Sequence, residues 1–173
     1  MLKRDLLIAP IGEALLIVVA GAAGWAAHQP LVFASLGPTA YELIETPHRR
    51  SAQPYSILAG HLAGVGAAYL ALFVTHAIGA PAVSAAGVPL ARVASAALAA
   101  ALTVLFNLLL RASQPAAVST TLLIALGMMQ QPRDAAILMG GVLLVTCVGE
   151  PLRRLRLHTS ELRKEPTARH QTP

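Results

Sequence analysis

Four apolar runs, each close to the length that crosses a lipid bilayer, constrain this chain more than any other feature. They are residues 6–27, 55–80, 93–110 and 135–152, and the first is interrupted only by Pro10 and Glu13. A membrane-spanning helix needs about 20 apolar residues, and backbone groups in lipid must satisfy their hydrogen bonds internally. The sequence therefore predicts an all-α integral membrane protein, folded as a polytopic helical bundle in contact with the lipid bilayer.

The placement of charge supports a membrane location and argues against a nucleic-acid partner. Charged residues are 12% of the chain, about half the share in a soluble domain. The net charge of +5 is not one patch, because basic residues lie at the ends of apolar runs, with the largest group after Glu150. Arginines outnumber lysines eleven to two, which favours a bacterial source, and we expect the inner (plasma) membrane. The single cysteine and the lack of metal or redox motifs predict neither metal nor cofactor.

Two shorter apolar segments, residues 30–44 and 115–130, lie between the long runs. As helices they would be about 23 Å long, so either they re-enter the membrane or they form short or broken crossings. If both cross, eleven of the thirteen basic residues lie in the cytoplasm and only Arg92 and Arg133 lie outside; if both re-enter, the division is nine to four. The positive-inside rule favours six crossings with both termini cytoplasmic.

The two halves of the predicted transmembrane domain (residues 1–157), residues 5–80 and 88–152, resemble each other. Gln-Pro pairs at 29–30 and 114–115 open the short segments, and pairs at 53–54 and 131–132 precede the long runs that follow. Each half then has a long, a short or broken, and a long helix. Three crossings per half would make the repeats inverted, an arrangement found in transporters. Residues 158–173 are polar and are predicted to be a disordered cytoplasmic tail.

The most specific sequence motifs lie between Ala34 and Gly64. They are Ala34-Ser35-Leu36-Gly37-Pro38-Thr39-Ala40, Pro47, Ala52-Gln53-Pro54 and Gly60-His61. In these residues the chain resembles the HPP family of integral membrane proteins, and Ser113-Gln114-Pro115 stands where that family has His-Pro-Pro. The resemblance implies a transporter or channel for a small inorganic anion, with nitrite the best guess, because plant and cyanobacterial relatives are linked to nitrite transport.

Two groups of residues are candidates for substrate binding. The first is Ser35, Gly37, Pro38 and Thr39, where a helix broken at Gly-Pro would expose N–H groups that attract an anion. The alternative is a proline kink at which the serine and threonine hydroxyls bond back to the helix backbone. The second group is Ser119, Thr120 and Thr121, whose hydroxyls would approach the first group near the midplane of an inverted repeat. The alternative is ordinary helix–helix hydrogen bonding.

Two ionisable residues lie inside apolar runs and are candidates for coupling to protons. His61 could also donate to the anion, and its alternative is a neutral histidine bonded to a neighbouring carbonyl. Glu13 could instead turn to the membrane interface. Around His61, Gly60 and Gly64 form a pair with the spacing that favours close helix packing.

Two other classes of function remain open. A non-transporting scaffold or assembly subunit would also use Ala/Gly-rich helices, and a homo-oligomer is compatible with them. An intramembrane enzyme is disfavoured, because the chain lacks the HExxH, GxSxG and paired-aspartate motifs, so we expect no catalytic residues. The sequence leaves open the substrate, the coupling ion, and whether the protein is a channel or a carrier.

Overall fold

The computed structural model describes residues 5–129 and 131–162, and every regular element in this part of the chain is helical. In chain order the elements are α1 (Asp5–Ala27), α2 (Leu36–Glu45), a 3-10 helix (Arg50–Ala52), α3 (Pro54–Val74), α4 (Val83–Ala86), α5 (Leu90–Leu109), α6 (Ala116–Ala125) and α7 (Pro132–Leu162). The all-α prediction is confirmed, and the four long helices lie on the four apolar runs.

Local backbone chemistry explains where the long helices begin and end. Prolines open α3 and α7, where the missing N–H has no helical partner to lose. Just beyond α1, α3 and α5, the residues His28, His76 and Arg111 have left-handed φ angles of 51°, 52° and 53°. A left-handed residue is a common way to end a helix. The second apolar run therefore stops being helical at Val74, before its predicted end at residue 80.

Helices from the two halves of the chain pack against each other. The short helix α2 contacts α1 and α7, the short helix α6 contacts α5 and α3, and α3 also contacts α5 and α7. The main apolar core lies where α2, α3 and α7 meet. Its largest fully buried members include Leu36, Leu43, Ile57, Leu138 and Val142.

Glycines permit the closest of these approaches. A Cβ on Gly64 would lie 2.7 Å from Oγ1 of Thr121 and 2.9 Å from the carbonyl oxygen of Ala117. A Cβ on Gly141 would lie 2.7 Å from the carbonyl oxygen of Leu31. Because real side chains do not approach backbone so closely, Gly64 brings α3 onto α6, and Gly141 brings α7 onto the segment before α2. The predicted packing role of Gly64 is confirmed.

Four hydrogen bonds between distant segments define two ends of the bundle. At one end, which we call the Arg133 end, Arg133 donates to the Gln29 side chain (3.3 Å) and Tyr69 donates to the Gln131 carbonyl oxygen (3.1 Å). At the other, which we call the Arg153 end, Arg153 donates to the Pro47 carbonyl oxygen and Tyr55 donates to the Leu110 carbonyl oxygen, both at 3.0 Å. The segment from Gln29 to Pro47 therefore runs from the Arg133 end to the Arg153 end. The segment from Leu110 to Gln131 runs the other way, so neither short segment returns to the end where it starts.

Three details differ from the sequence predictions. Gly37-Pro38 does not break a helix; it lies in the first turn of α2, where proline is tolerated because that N–H lacks a helical partner. The helices α2 and α6 have ten residues each, about 15 Å, so turns and irregular residues complete each short segment. Finally, α7 continues to Leu162, so residues 158–162 of the predicted disordered tail are helical, and residues 163–173 lie outside the described part.

The chain is an integral membrane protein. Four helical stretches in the described residues are long and apolar enough to cross a membrane: Leu7–Ala27, Pro54–Val74, Leu90–Leu109 and Pro132–Thr159. Large apolar side chains point outward from them, among them Leu7, Phe73 and Leu108. These surfaces are stable in lipid and would be costly in water.

Candidate functional site

His61 lies in the interior of the bundle, where it joins the two short helices. Its Nε2 is 3.0 Å from Oγ1 of Thr39 in α2, and its Nδ1 is 2.7 Å from Oγ1 of Thr120 in α6. All three side chains are fully buried. We call Ser35, Thr39, His61 and Thr120 the His61 layer. The sequence placed these four residues in three separate candidate groups, and the structure brings them together.

The direction of the hydrogen bonds in this layer follows from counting hydrogens. Oγ1 of Thr39 donates its only hydrogen to the carbonyl oxygen of Ser35, at 2.9 Å. Thr39 must then accept from Nε2–H of His61, which leaves Nδ1 of a neutral ring as acceptor of the Thr120 hydroxyl hydrogen. The layer is thus a chain of neutral donors and acceptors that runs from α6 through α3 to α2.

The amino-terminal turn of α2 contributes one polar group that has no partner. Oγ of Ser35, at the N-cap of α2, is fully buried and makes no hydrogen bond with a described residue. Pro38 is exposed and Gly37 is half-buried, and a Cβ on Gly37 would meet no atom within 4 Å. Within this predicted group, Ser35 and Thr39 therefore face the layer, whereas Gly37 and Pro38 lie at the outer side of the turn.

The three hydroxyl residues of α6 also divide. Thr120 reaches His61, while Oγ1 of Thr121 lies 2.7 Å from Oγ1 of Thr103 in α5 and donates to the Ala117 carbonyl at 2.9 Å. Thr121 thus makes the helix–helix hydrogen bond that the alternative interpretation predicts. Ser119 is half-buried.

Glu13 lies away from this layer. It is half-buried in α1, next to Gly12, whose Cβ would contact the side chain of Ile44 near the Arg153 end. Among the described residues, no three His, Cys, Asp or Glu side chains are grouped closely enough to hold a metal ion.

A second group of buried polar residues was missed by the sequence prediction. Glu42 of α2 is only 8% exposed and Gln114 only 3%. The side chains of Ser51 and Gln114 lie beside the Glu42 carboxyl group, and a Cβ on Gly60 would meet both Gln114 and Oδ1 of Asn107. We call Glu42, Ser51, Asn107 and Gln114 the Gln114 cluster. Two sequence features could have indicated this cluster: Glu42 follows Thr39 by three residues, and Gln114 belongs to one of the repeated Gln-Pro pairs.

This cluster has open hydrogen-bonding capacity. Oε2 of Glu42, Oδ1 of Asn107 and both amide atoms of Gln114 are buried and make no hydrogen bond of good geometry in the described part of the chain, although Ser51 and Gln114 lie close enough to interact with the Glu42 carboxyl group. An unsatisfied buried polar group costs about 1–3 kcal/mol. A water molecule or ligand that formed hydrogen bonds with these four atoms would therefore be stabilised there.

Arg92, which the topology argument counted on the external side of the membrane, is buried within the protein, at 1% exposure. Its guanidinium donates to the carbonyl oxygens of Pro81 and Ala125, both at 3.2 Å, and to that of Ala80. Ala125 is the last residue of α6, where a cation is favourable to the helix dipole. Arg92 thus fixes the end of α6 to the loop that follows α3.

The motifs between Ala34 and Gly64 resemble those of one family, and comparison of the whole sequence with family models tests that resemblance. The sequence matches the family described as HPP, transmembrane region, over residues 2–156. The chain belongs to the HPP family. Searches of curated proteins and of solved structures give no match to this HPP protein. In its fold, the tripeptide Ser113-Gln114-Pro115 lies just before α6 and supplies the buried glutamine of the Gln114 cluster.

Proposed function

We propose that this HPP protein transports a small monovalent inorganic anion across the membrane, with nitrite as the best candidate, and performs no chemical conversion. The observation that carries the proposal is the His61 layer, a buried chain of uncharged hydrogen-bond donors inside an apolar bundle. An anion that crosses a bilayer must exchange its hydration for other donors. Neutral hydroxyl and imidazole groups provide them without the strong attraction of a full charge, which would slow release.

The layer offers the anion a specific place to bind. Oγ of Ser35 is an unused donor beside Thr39, and it lies at the amino-terminal end of α2, where the helix dipole favours an anion. If the Thr120 hydroxyl rotates away from Nδ1 of His61, its hydrogen also becomes available. Ser35, Thr39, His61 and Thr120 are therefore proposed as the binding residues. Gly37, Pro38, Ser119 and Thr121 are proposed only as their structural support.

A six-crossing topology with inverted repeats accompanies this proposal. Exchanging α1, α2 and α3 with α5, α6 and α7 leaves the pattern of helix contacts unchanged: α1–α2 corresponds to α5–α6, α2–α7 to α6–α3, and α1–α7 to α5–α3. Each short segment connects opposite ends of the bundle, as a crossing does. Both termini would then lie in the cytoplasm of a bacterium, at the arginine-rich Arg153 end.

The direct test measures anion flux in liposomes that contain the purified protein. Nitrite, nitrate, chloride and formate are supplied outside, and uptake is compared with that of protein-free liposomes, because nitrous acid also crosses lipid unaided. We expect saturable uptake of nitrite and competition by the anions of similar size. Uptake no faster than in protein-free liposomes for all four anions would refute transport and favour a scaffold role.

A further inference from the structure

Glu42 lies directly next to the proposed anion path. It follows Thr39 by three residues in α2, so the two side chains share one face of that helix. From Thr39, α2 continues toward the Arg153 end, where Arg156 donates to the carbonyl oxygen of Ile44 at 3.1 Å. The Glu42 carboxyl group is therefore about one turn away from the His61 layer, between that layer and the Arg153 end.

The other charged groups around α2 leave this carboxyl group without an ion pair among the described residues. Arg153 pairs with Glu150 at 2.6 Å, and Arg156 lies 3.9 Å from Glu45. Arg49 is exposed and acts on Glu42 only at longer range. On α1, Glu13 is the acidic residue closest in sequence to α2, and it is half-buried. The segment before α6 contributes the neutral side chain of Gln114. The charge of an ionised Glu42 would therefore act mainly on whatever binds beside it.

An anion and an ionised Glu42 would repel each other across this short distance, whereas a protonated carboxyl group is neutral and can donate a hydrogen bond. Binding of either the proton or the anion must then strengthen binding of the other by the same factor. The atoms of Gln114 and Asn107 that lack partners give both the carboxyl group and water hydrogen-bonding capacity in the same cluster.

We infer that Glu42 binds the proton that moves with the anion, so that the Gln114 cluster makes this protein a proton-coupled carrier. The inference rests on the proposed function, to which it adds the coupling ion and its residue. It assigns the proton to Glu42 and not to His61 or Glu13, the two candidates that the sequence indicated. His61 has both ring nitrogens bonded as a neutral ring, and Glu13 is separated from the layer by its position on α1.

The test uses the full-length protein in liposomes and compares Glu42→Gln with wild type. In wild type, external acid should raise the initial rate of nitrite uptake above that in protein-free liposomes. In Glu42→Gln, exchange of labelled for unlabelled nitrite should remain, while acid-driven uptake falls to the rate of protein-free liposomes. Glu13→Gln and Glu45→Gln are matched controls that should keep acid-driven uptake. His61→Gln should weaken nitrite affinity but keep the dependence on pH.

Several results would overturn the inference. Acid-driven uptake by Glu42→Gln at the wild-type rate, or uptake that follows a sodium gradient instead, would exclude Glu42 as the proton site. If Glu42→Gln does not fold, proton uptake is measured with an indicator dye when nitrite is added to wild-type protein in detergent. About one proton per bound anion is expected, and none would refute the coupling. Wild-type flux without pH dependence refutes the coupling alone, whereas no wild-type flux refutes the proposed function as well.

Discussion

Thr39 is the side chain on which the His61 layer depends most, because its hydroxyl group bonds both His61 and the Ser35 carbonyl. Thr39→Val keeps the shape but removes this group and leaves Nε2–H of His61 without its acceptor. We expect nitrite flux to fall about fivefold to tenfold, as for the loss of a hydrogen bond worth about 1–1.4 kcal/mol. Initial rates of uptake in liposomes would measure it.

Thr146 provides the control for this substitution. It is a buried threonine that bonds back to the Val142 carbonyl at 2.7 Å, on a helix outside the layer. Thr146→Val should lose similar stability but keep the wild-type flux. Equal flux in both variants would show that the Thr39 hydroxyl only supports the packing of α2, and that the anion passes elsewhere.

Among the helices, the contact of α3 with α6 sets the distance between His61 and Thr120. A Cβ on Gly64 would meet the Thr121 hydroxyl and the Ala117 backbone, so Gly64→Ala must push the two helices apart. We expect a loss of about 1–3 kcal/mol of stability, as in overpacked cores, and a lower flux because the Thr120–His61 bond lengthens. The melting temperature in detergent and the flux would both be measured.

Gly66 lies two residues further along the same helix and provides the matched control. A Cβ there would meet no atom within 4 Å, so Gly66→Ala should leave the melting temperature unchanged or raise it, since alanine favours helix. If Gly64→Ala is as stable and as active as Gly66→Ala, then close contact between α3 and α6 is not what positions the layer.

For the whole molecule, the six-crossing proposal makes opposite predictions for the two ends of the bundle. With Cys147 replaced by alanine, a cysteine at position 50 should resist a membrane-impermeant thiol reagent added to intact cells, and one at position 133 should react. Arg50 and Arg133 are both exposed, so burial does not explain a difference. Efficient labelling of position 50 from outside would contradict the proposed topology.

The bundle as a whole was largely predictable from the sequence, and the site was predictable in part. Hydropathy requires long apolar runs to become helices in lipid, because each run must satisfy its own backbone, and so all four long helices were found. Ser35, Thr39, His61 and Thr120 were each singled out as polar groups in apolar surroundings. The sequence could not show which face of each helix they occupy, and so it also included Gly37, Pro38 and Thr121, which lie elsewhere.

By itself, then, the sequence determined that this HPP protein is helical, lies in the membrane and has polar residues in both short segments. These properties depend on local composition and on the solvent around each run. Only the tertiary structure decided that His61 joins α2 to α6, that Glu42 and Gln114 form one buried cluster, and that Arg92 is an internal helix cap. Such pairings arise where helices distant in sequence pack, and glycines such as Gly64 set how closely they approach.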